Sequence, residues 1–148
     1  MIWTPHVTVA AVVEHEGRYL LAEEYVGGTP VLNQPAGHWE QHETLIEGAR
    51  RETLEETDYD FRPTALVGIY RWPHPAKGIT YLRFAFAGEI IGFDPTRPLD
   101  ANIVRTVWLT PEEIRAQARQ HRSPLVGRCV EDHLAGRRYS LELLTHLE

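Results

Sequence analysis

The chain has 148 residues, a formal net charge of −6, 43% hydrophobic and 24% charged residues. That size fits one domain, 1–148, around a single core, and the composition is that of a globular protein. The acidic balance supplies no global basic field to gather nucleic acid, and the lone Cys129 excludes an intrachain disulfide and a cysteine-based zinc site.

One cysteine suits a reducing cytosol. No basic segment precedes the first apolar run, so no signal peptide is expected. That run, Val7 to Val13, is too short to cross a bilayer. Being β-branched and apolar at nearly every position, it reads as a strand covered on both faces. Glu14 to Gly17 reads as a turn, and Arg18 to Tyr25 as the returning strand of a hairpin. Gly27-Gly28-Thr29-Pro30 breaks the chain, and Val31 to Pro35 is a short extended piece leading to Gly37. Ala65 to Trp72 and Thr80 to Ile91 are predicted strands around a loop at Pro73 to Gly78. Gly92 to Asp100 is a loop, and Val104 to Leu109 a last strand. Thr110-Pro111-Glu112-Glu113 is a helix start, with Thr capping and Pro in the first turn, for a helix to about Arg119. Ser123-Pro124 caps another helix, to about Leu134, which Gly136 ends. Tyr139 to Leu147 is a tail that packs either on its own core or on a neighbour.

The chain is organised around 37–59. From Glu43 onward it reads as helix, with Leu45, Ile46, Ala49 and Thr53 forming an inward face. Glu52, Glu55 and Glu56 stand at i, i+3 and i+4, on one side of two turns and within ~6 Å of axis. Like charges so close repel unless a cation sits among them. Hard carboxylate oxygens favour Mg²⁺, with Mn²⁺ as the substitute, over zinc. The competing reading is a solvated acidic face. Against it, Glu52 and Glu56 border the apolar stripe, and the loop Pro35-Ala36-Gly37-His38 runs into the helix start, where backbone groups approach a ligand.

The spacing Gly37, five residues, Glu43, seven residues, Arg51-Glu52, two residues, Glu55-Glu56 resembles the Nudix box of the Nudix hydrolases. Thr53, Asp58 and Tyr59 depart from it, standing where an aliphatic residue, a glycine and an aliphatic residue are usual. None is a carboxylate the chemistry needs. Asp58 is expected to take a left-handed helix cap, which glycine adopts at lower cost. The resemblance implies an α/β/α sandwich with a mixed β-sheet. It also implies Glu52 and Glu56 as metal ligands, Glu55 as a ligand or water-orienting partner, and the Gly37 carbonyl in the set. Glu52 is where some members place the general base. The Glu43–Arg51 pair is structural in the family, although Arg51 has an alternative partner in Glu47 at i, i+4.

Many members add a carboxylate beyond the box. Asp100 is the candidate, with Asn102 at the aligned position. Asp100 bonding its own loop is the alternative. Arg83, mid-strand among aromatics, either contacts phosphate or pairs with an acid. Trp39, Tyr70, Trp72 and Tyr81 are candidates to stack on a heterocycle, with Trp39 favoured because its loop is exposed and the others read as packing. His38 is near enough to touch phosphate. The histidines lack metal-ligand spacing.

Further segments (Pro5 to Ala10, Asn33 to His38, Arg83 to Ala87, Arg122 to Val126, Gly136 to Tyr139) resemble a phosphatase branch of the family. That implies release of phosphate from nucleoside di- and triphosphates and from thiamine-pathway diphosphates such as HMP-PP and thiamine pyrophosphate. The alternatives are a pyrophosphohydrolase of triphosphates, nucleotide sugars or dinucleotides, and a non-catalytic nucleotide-binding module. The expected partner is a small phosphoanhydride, with no nucleic acid and no membrane, for a monomer or homodimer.

Overall fold

The computed structural model describes residues 1–147. Two four-stranded sheets carry the fold. The first runs β5 (Ala36–His38), β1 (His6–Val12), β7 (Thr80–Phe93), β6 (Tyr59–Pro73). Strands β1 and β7 are parallel and the other pairs antiparallel, so this sheet is mixed. In the second, β3 (Arg18–Val26) lies between β8 (Ile103–Leu109) on one side and β2 (Glu14–His15) and β4 (Thr29–Asn33) on the other.

Strand β1 alternates its side chains between two apolar clusters. Val9 and Ala11, with Val13 just past the strand's end, join Leu45 and Ala49 of helix α1 (Leu45–Thr57). Ala10 and Val12 join Val126, Cys129 and Val130 of helix α3 (Pro124–Leu134). Period-2 alternation on a strand buried on both faces thus produces the expected α/β/α layering. No helix among the described residues is long and apolar enough to cross a membrane.

The hairpin expected from Val7–Val13 and Arg18–Tyr25 does not form. Its first arm is only β2, paired as Glu14↔Tyr19, while β1 crosses into the other sheet beside β7. A two-residue turn at Gly27 and Gly28, both at positive φ, instead joins β3 to β4 as Val26↔Thr29. Strand β6 is longer than expected and includes Pro63. It tolerates the proline because it pairs only with β7 within its sheet and shifts register between Pro63 and Ala65. Helix α2 (Pro111–Ala116) stops short of Arg119, and the Ile114 carbonyl accepts from His121 Nε2–H at 2.9 Å. The tail packs on its own chain. Tyr139 and Leu66 exchange backbone hydrogen bonds of 2.8 Å, and Leu141 and Leu144 pack against the α1-side cluster.

Helix α1 begins at Leu45, not Glu43. Thr44 caps it through a full capping box with Glu47, and the tail's His146 Nε2 accepts from Leu45 N–H at 3.3 Å. Thr53, in its unusual position, satisfies its hydroxyl by donating to Ala49 O at 2.7 Å. Tyr59 packs in an aromatic group with Phe93 and Trp108. Asp58 caps the far end at φ 64, and its buried Oδ1 has no hydrogen-bond partner. Asp58→Gly should therefore stabilise the protein by ~1 kcal/mol, seen as a higher urea midpoint at unchanged slope. An unchanged or lower midpoint refutes the strain assigned to this cap.

Candidate active site

Pairing between β5 and β1, Val9↔Gly37, lays backbone along the glutamate face of α1. The Ala36 N–H donates to Glu56 Oε1 at 2.8 Å. A Cβ on Gly37 would collide with the Glu52 carboxylate, closer than real Cβ atoms come. Glycine is needed there for close approach, not for an unusual φ.

Arg51 ties this loop to the helix. Its Nε and Nη2 donate to the two oxygens of Glu43 at 2.9 and 2.8 Å, and Nη2 also donates to His38 O at 3.1 Å. Glu47 is occupied in the capping box, so the alternative Arg51–Glu47 pair does not form. The fork reaches further than a loop tie. Nη1 donates to Glu52 Oε1 at 2.8 Å and to Glu55 Oε2 at 3.3 Å. The hydrogen bonds from Arg51 hold Glu43 below the usual carboxylate range, and Glu43 in turn raises Arg51.

Carboxylate oxygens of Glu52, Glu55 and Asp100 all lie within 4.8 Å of one another. Asp100 arrives from the β7–β8 loop, with its N–H donating to Glu55 O at 3.1 Å. Asn102, the aligned residue, points instead at Glu24, Nδ2 to Oε2 3.4 Å. Glu56 stands outside the triad, buried at its edge. Burial raises Glu52 against the pull of Arg51. Burial also pushes Glu56 up to about 9, opposed by the Ala36 N–H and reinforced by the charges of Glu52, Glu24 and Asp100.

Beside Gly37 opens a cavity of about 210 Å³. Arg83, Arg122 and Lys77 line it, and no Asp or Glu does. Arg83 is 4% exposed. Its Nη1 donates to Gln34 Oε1 at 2.8 Å and its Nη2 to Asn33 Oδ1 at 3.1 Å, while Nε has no partner. The ion-pair alternative for Arg83 is thus absent among the described residues. Trp72 and Tyr81, read from sequence as packing, stack with centroids 5.9 Å apart and line the cavity. Trp39 does not line it; its indole N–H donates to Glu43 O at 2.8 Å, bracing the loop. His38 is on the wall, lowered first by burial and then by His6.

Sequence reasoning missed Glu24. It is 2% exposed and accepts from Arg122 Nη1 at 2.6 Å. Its place two residues after Ala22 and four after Leu20, on an inward strand register, was the available signal.

The raised Glu56 carboxyl gives a signed prediction for the protein in chelator. Between the ordinary value of 4.5 and about 9, the folded chain holds a proton that the unfolded chain has lost. Stability should therefore fall as pH rises through that window. Urea melts across it should show the decline, and Glu56→Gln should flatten it. An equal slope in the variant rules Glu56 out as its source.

Comparison with known proteins agrees with this geometry. The NUDIX domain family profile matches residues 4–129. The curated Phosphatase NudJ of Escherichia coli K12 is 43% identical over 143 residues, covering 97% of this chain and 92% of that protein. The structure of a NUDIX hydrolase from Nitrosomonas europaea superposes with a TM-score of 0.96 at 50% identity, covering 97% and 98% of the two chains. A UDP-X diphosphatase structure, 15% identical with a TM-score of 0.76 over 95% of this chain and 68% of that one, shares the fold alone. The chain belongs to the NUDIX domain family and is a hydrolase acting on phosphorus-containing acid anhydrides.

Proposed function

We propose that this chain, as one domain in the cytoplasm, is a Mg²⁺-dependent phosphatase of small diphosphates and triphosphates. Nucleotides and thiamine-pathway diphosphates are its substrate class, and inorganic phosphate is its product. The observation that carries this is the carboxylate triad Glu52, Glu55 and Asp100 opening beside a cavity walled by cations. The similarity to a protein named as a phosphatase supports the product.

The donor set fits a hard divalent ion: carboxylate oxygens gathered within 4.8 Å, under a glycine whose missing Cβ leaves Glu52 its place. Glu52, Glu55, Glu56 and the Gly37 carbonyl would hold it, with Asp100 as the further carboxylate. When bound, Mg²⁺ would neutralise phosphoryl charge and acidify water. The protein's own groups do the rest. A carboxylate oxygen of the Glu52–Glu55–Glu56 set takes the proton from the attacking water. Arg51 keeps Glu52 and Glu55 oriented through Nη1. Arg83 and His38 meet phosphoryl oxygens from the cavity side, and the Trp72–Tyr81 pair offers a face to a heterocycle.

Glu52→Gln or Glu56→Gln should lower kcat at least ~100-fold with the fold intact, while Glu112→Gln on the exposed face of α2 changes little. Near-normal turnover in both site variants overturns the assignment. Phosphorus NMR of one nucleoside triphosphate should show inorganic phosphate first; pyrophosphate as first product favours the pyrophosphohydrolase reading.

Gly37→Ala is a finer probe. Its backbone accepts alanine, but the new methyl must displace the Glu52 carboxylate. The expected result is a kcat loss of about tenfold or more with a nearly unchanged melting temperature. Full activity would mean Glu52 does not work from its observed position.

A further inference from the structure

Arg122 stands where two cavities meet. It lines the one beside Gly37 and a neighbouring one, which also share Trp72, His74 and Ser123. Its backbone is fixed: its N–H donates to Leu32 O at 2.9 Å, and the next residue, Ser123, caps α3. Its side chain spans from buried to open. Nη1 donates to Glu24 Oε1 at 2.6 Å, with Glu24 almost wholly buried and Arg122 about half exposed. Nε and Nη2 make no hydrogen bond among the described residues, so half of the planar fork is available.

A buried carboxylate is costly unless paired, and one half-exposed guanidinium with a long contact from the Asn102 amide is a weak reason to keep it. Holding that guanidinium in one orientation is a better one. Arg83 contributes less at this wall, since it is almost wholly buried and each of its terminal nitrogens already donates once, to Gln34 and to Asn33. Arg122 is therefore the cation that best meets a bidentate oxyanion. In a diphosphate, both phosphates belong to the cleaved bond. A triphosphate carries one more, which must lead away from the triad. Gly37 connects the triad to the cavity that Arg122 lines.

We propose that Arg122 contacts the phosphate beyond the scissile pair and that Glu24 is its positioning residue, so that together they favour triphosphates over diphosphates. This rests on the hydrolase reading of the site. ATP and ADP, titrated calorimetrically in Ca²⁺ into wild type, Arg122→Gln, Arg122→Lys and Glu24→Gln, test it. Arg122→Gln should weaken ATP at least tenfold and ADP less than threefold. Arg122→Lys, keeping charge without the fork, should recover part of the ATP affinity. Glu24→Gln should give an intermediate loss that is larger for ATP than for ADP. In Mg²⁺ turnover the same variants should raise KM for ATP at near-constant kcat. Equal losses for both nucleotides, no loss, or a wild type that binds neither overturns the inference. Discrimination in binding without any turnover would remove the hydrolase reading, and with it the scissile pair, and would support Arg122 only as a contact to the third phosphate. Arg122→Gln carries the test alone if Glu24→Gln does not fold, because Arg122 is partly exposed.

Discussion

The structure depends on one guanidinium among many carboxylates. Arg51 meets Glu43 with two nitrogens and shares a third contact set between Glu52 and Glu55. Two like charges about 5 Å apart cost roughly 3 kcal/mol at an effective dielectric near 20. The acids crowd at that distance or closer, so a helix bearing them would shed the loop without a cation between. Lysine could not replace it, since only a planar fork serves the Glu43 pair, the His38 carbonyl and the helix acids at once. Arg51 does not reach Glu56 or Asp100. Burial raises Glu52 and Glu56, and the neighbouring acids add to both shifts. A divalent cation would meet that excess of acid.

The opposite excess lies next door. The cavity wall holds Arg83, Lys77 and Arg122 and no acid, although acids outnumber Lys and Arg 21 to 15 in the chain. Segregation of sign over a short distance is expensive within a fold and useful toward a ligand. A phosphoanhydride chain is negative along its whole length. On the proposed function, cations would meet it at both ends of the site, from side chains on the cavity side and from a metal held by the carboxylates.

The helix face was legible because i, i+3, i+4 geometry holds whatever the helix packs against. Thr110 and Ser123 were similarly plain as helix starts, being local chemistry, whereas Thr44, which caps α1, was passed over for a start at Glu43. Pairing was not legible. An apolar run such as Val7–Val13 fits an adjacent hairpin or a crossover equally well, and only the match of both its faces to α1 and α3 decides. The same limit applies to the site. Asp100 is separated from Glu55 by two long strands, so its arrival beside the triad follows from the β6–β7 pairing rather than from any spacing. Trp39 was put forward because its loop is exposed, and its indole N–H is committed to Glu43 O. Glu24 carried a strand-register signal but no motif.

The way α1 ends explains why Asp100 is where it is. A helix leaves its last carbonyls without partners, and they need donors from elsewhere. Here the β7–β8 loop supplies two: Asp94 N–H donates to Asp58 O at 3.0 Å and Asp100 N–H to Glu55 O at 3.1 Å. The second bond is made by the backbone of the residue whose side chain joins the triad, to the backbone of a residue already in it. Finishing the helix and completing the acidic cluster are therefore one event. The loop between those two anchors is free to vary so long as both amides return, while a change that lifts Asp100 N–H from Glu55 O frays the helix end and opens the cluster together.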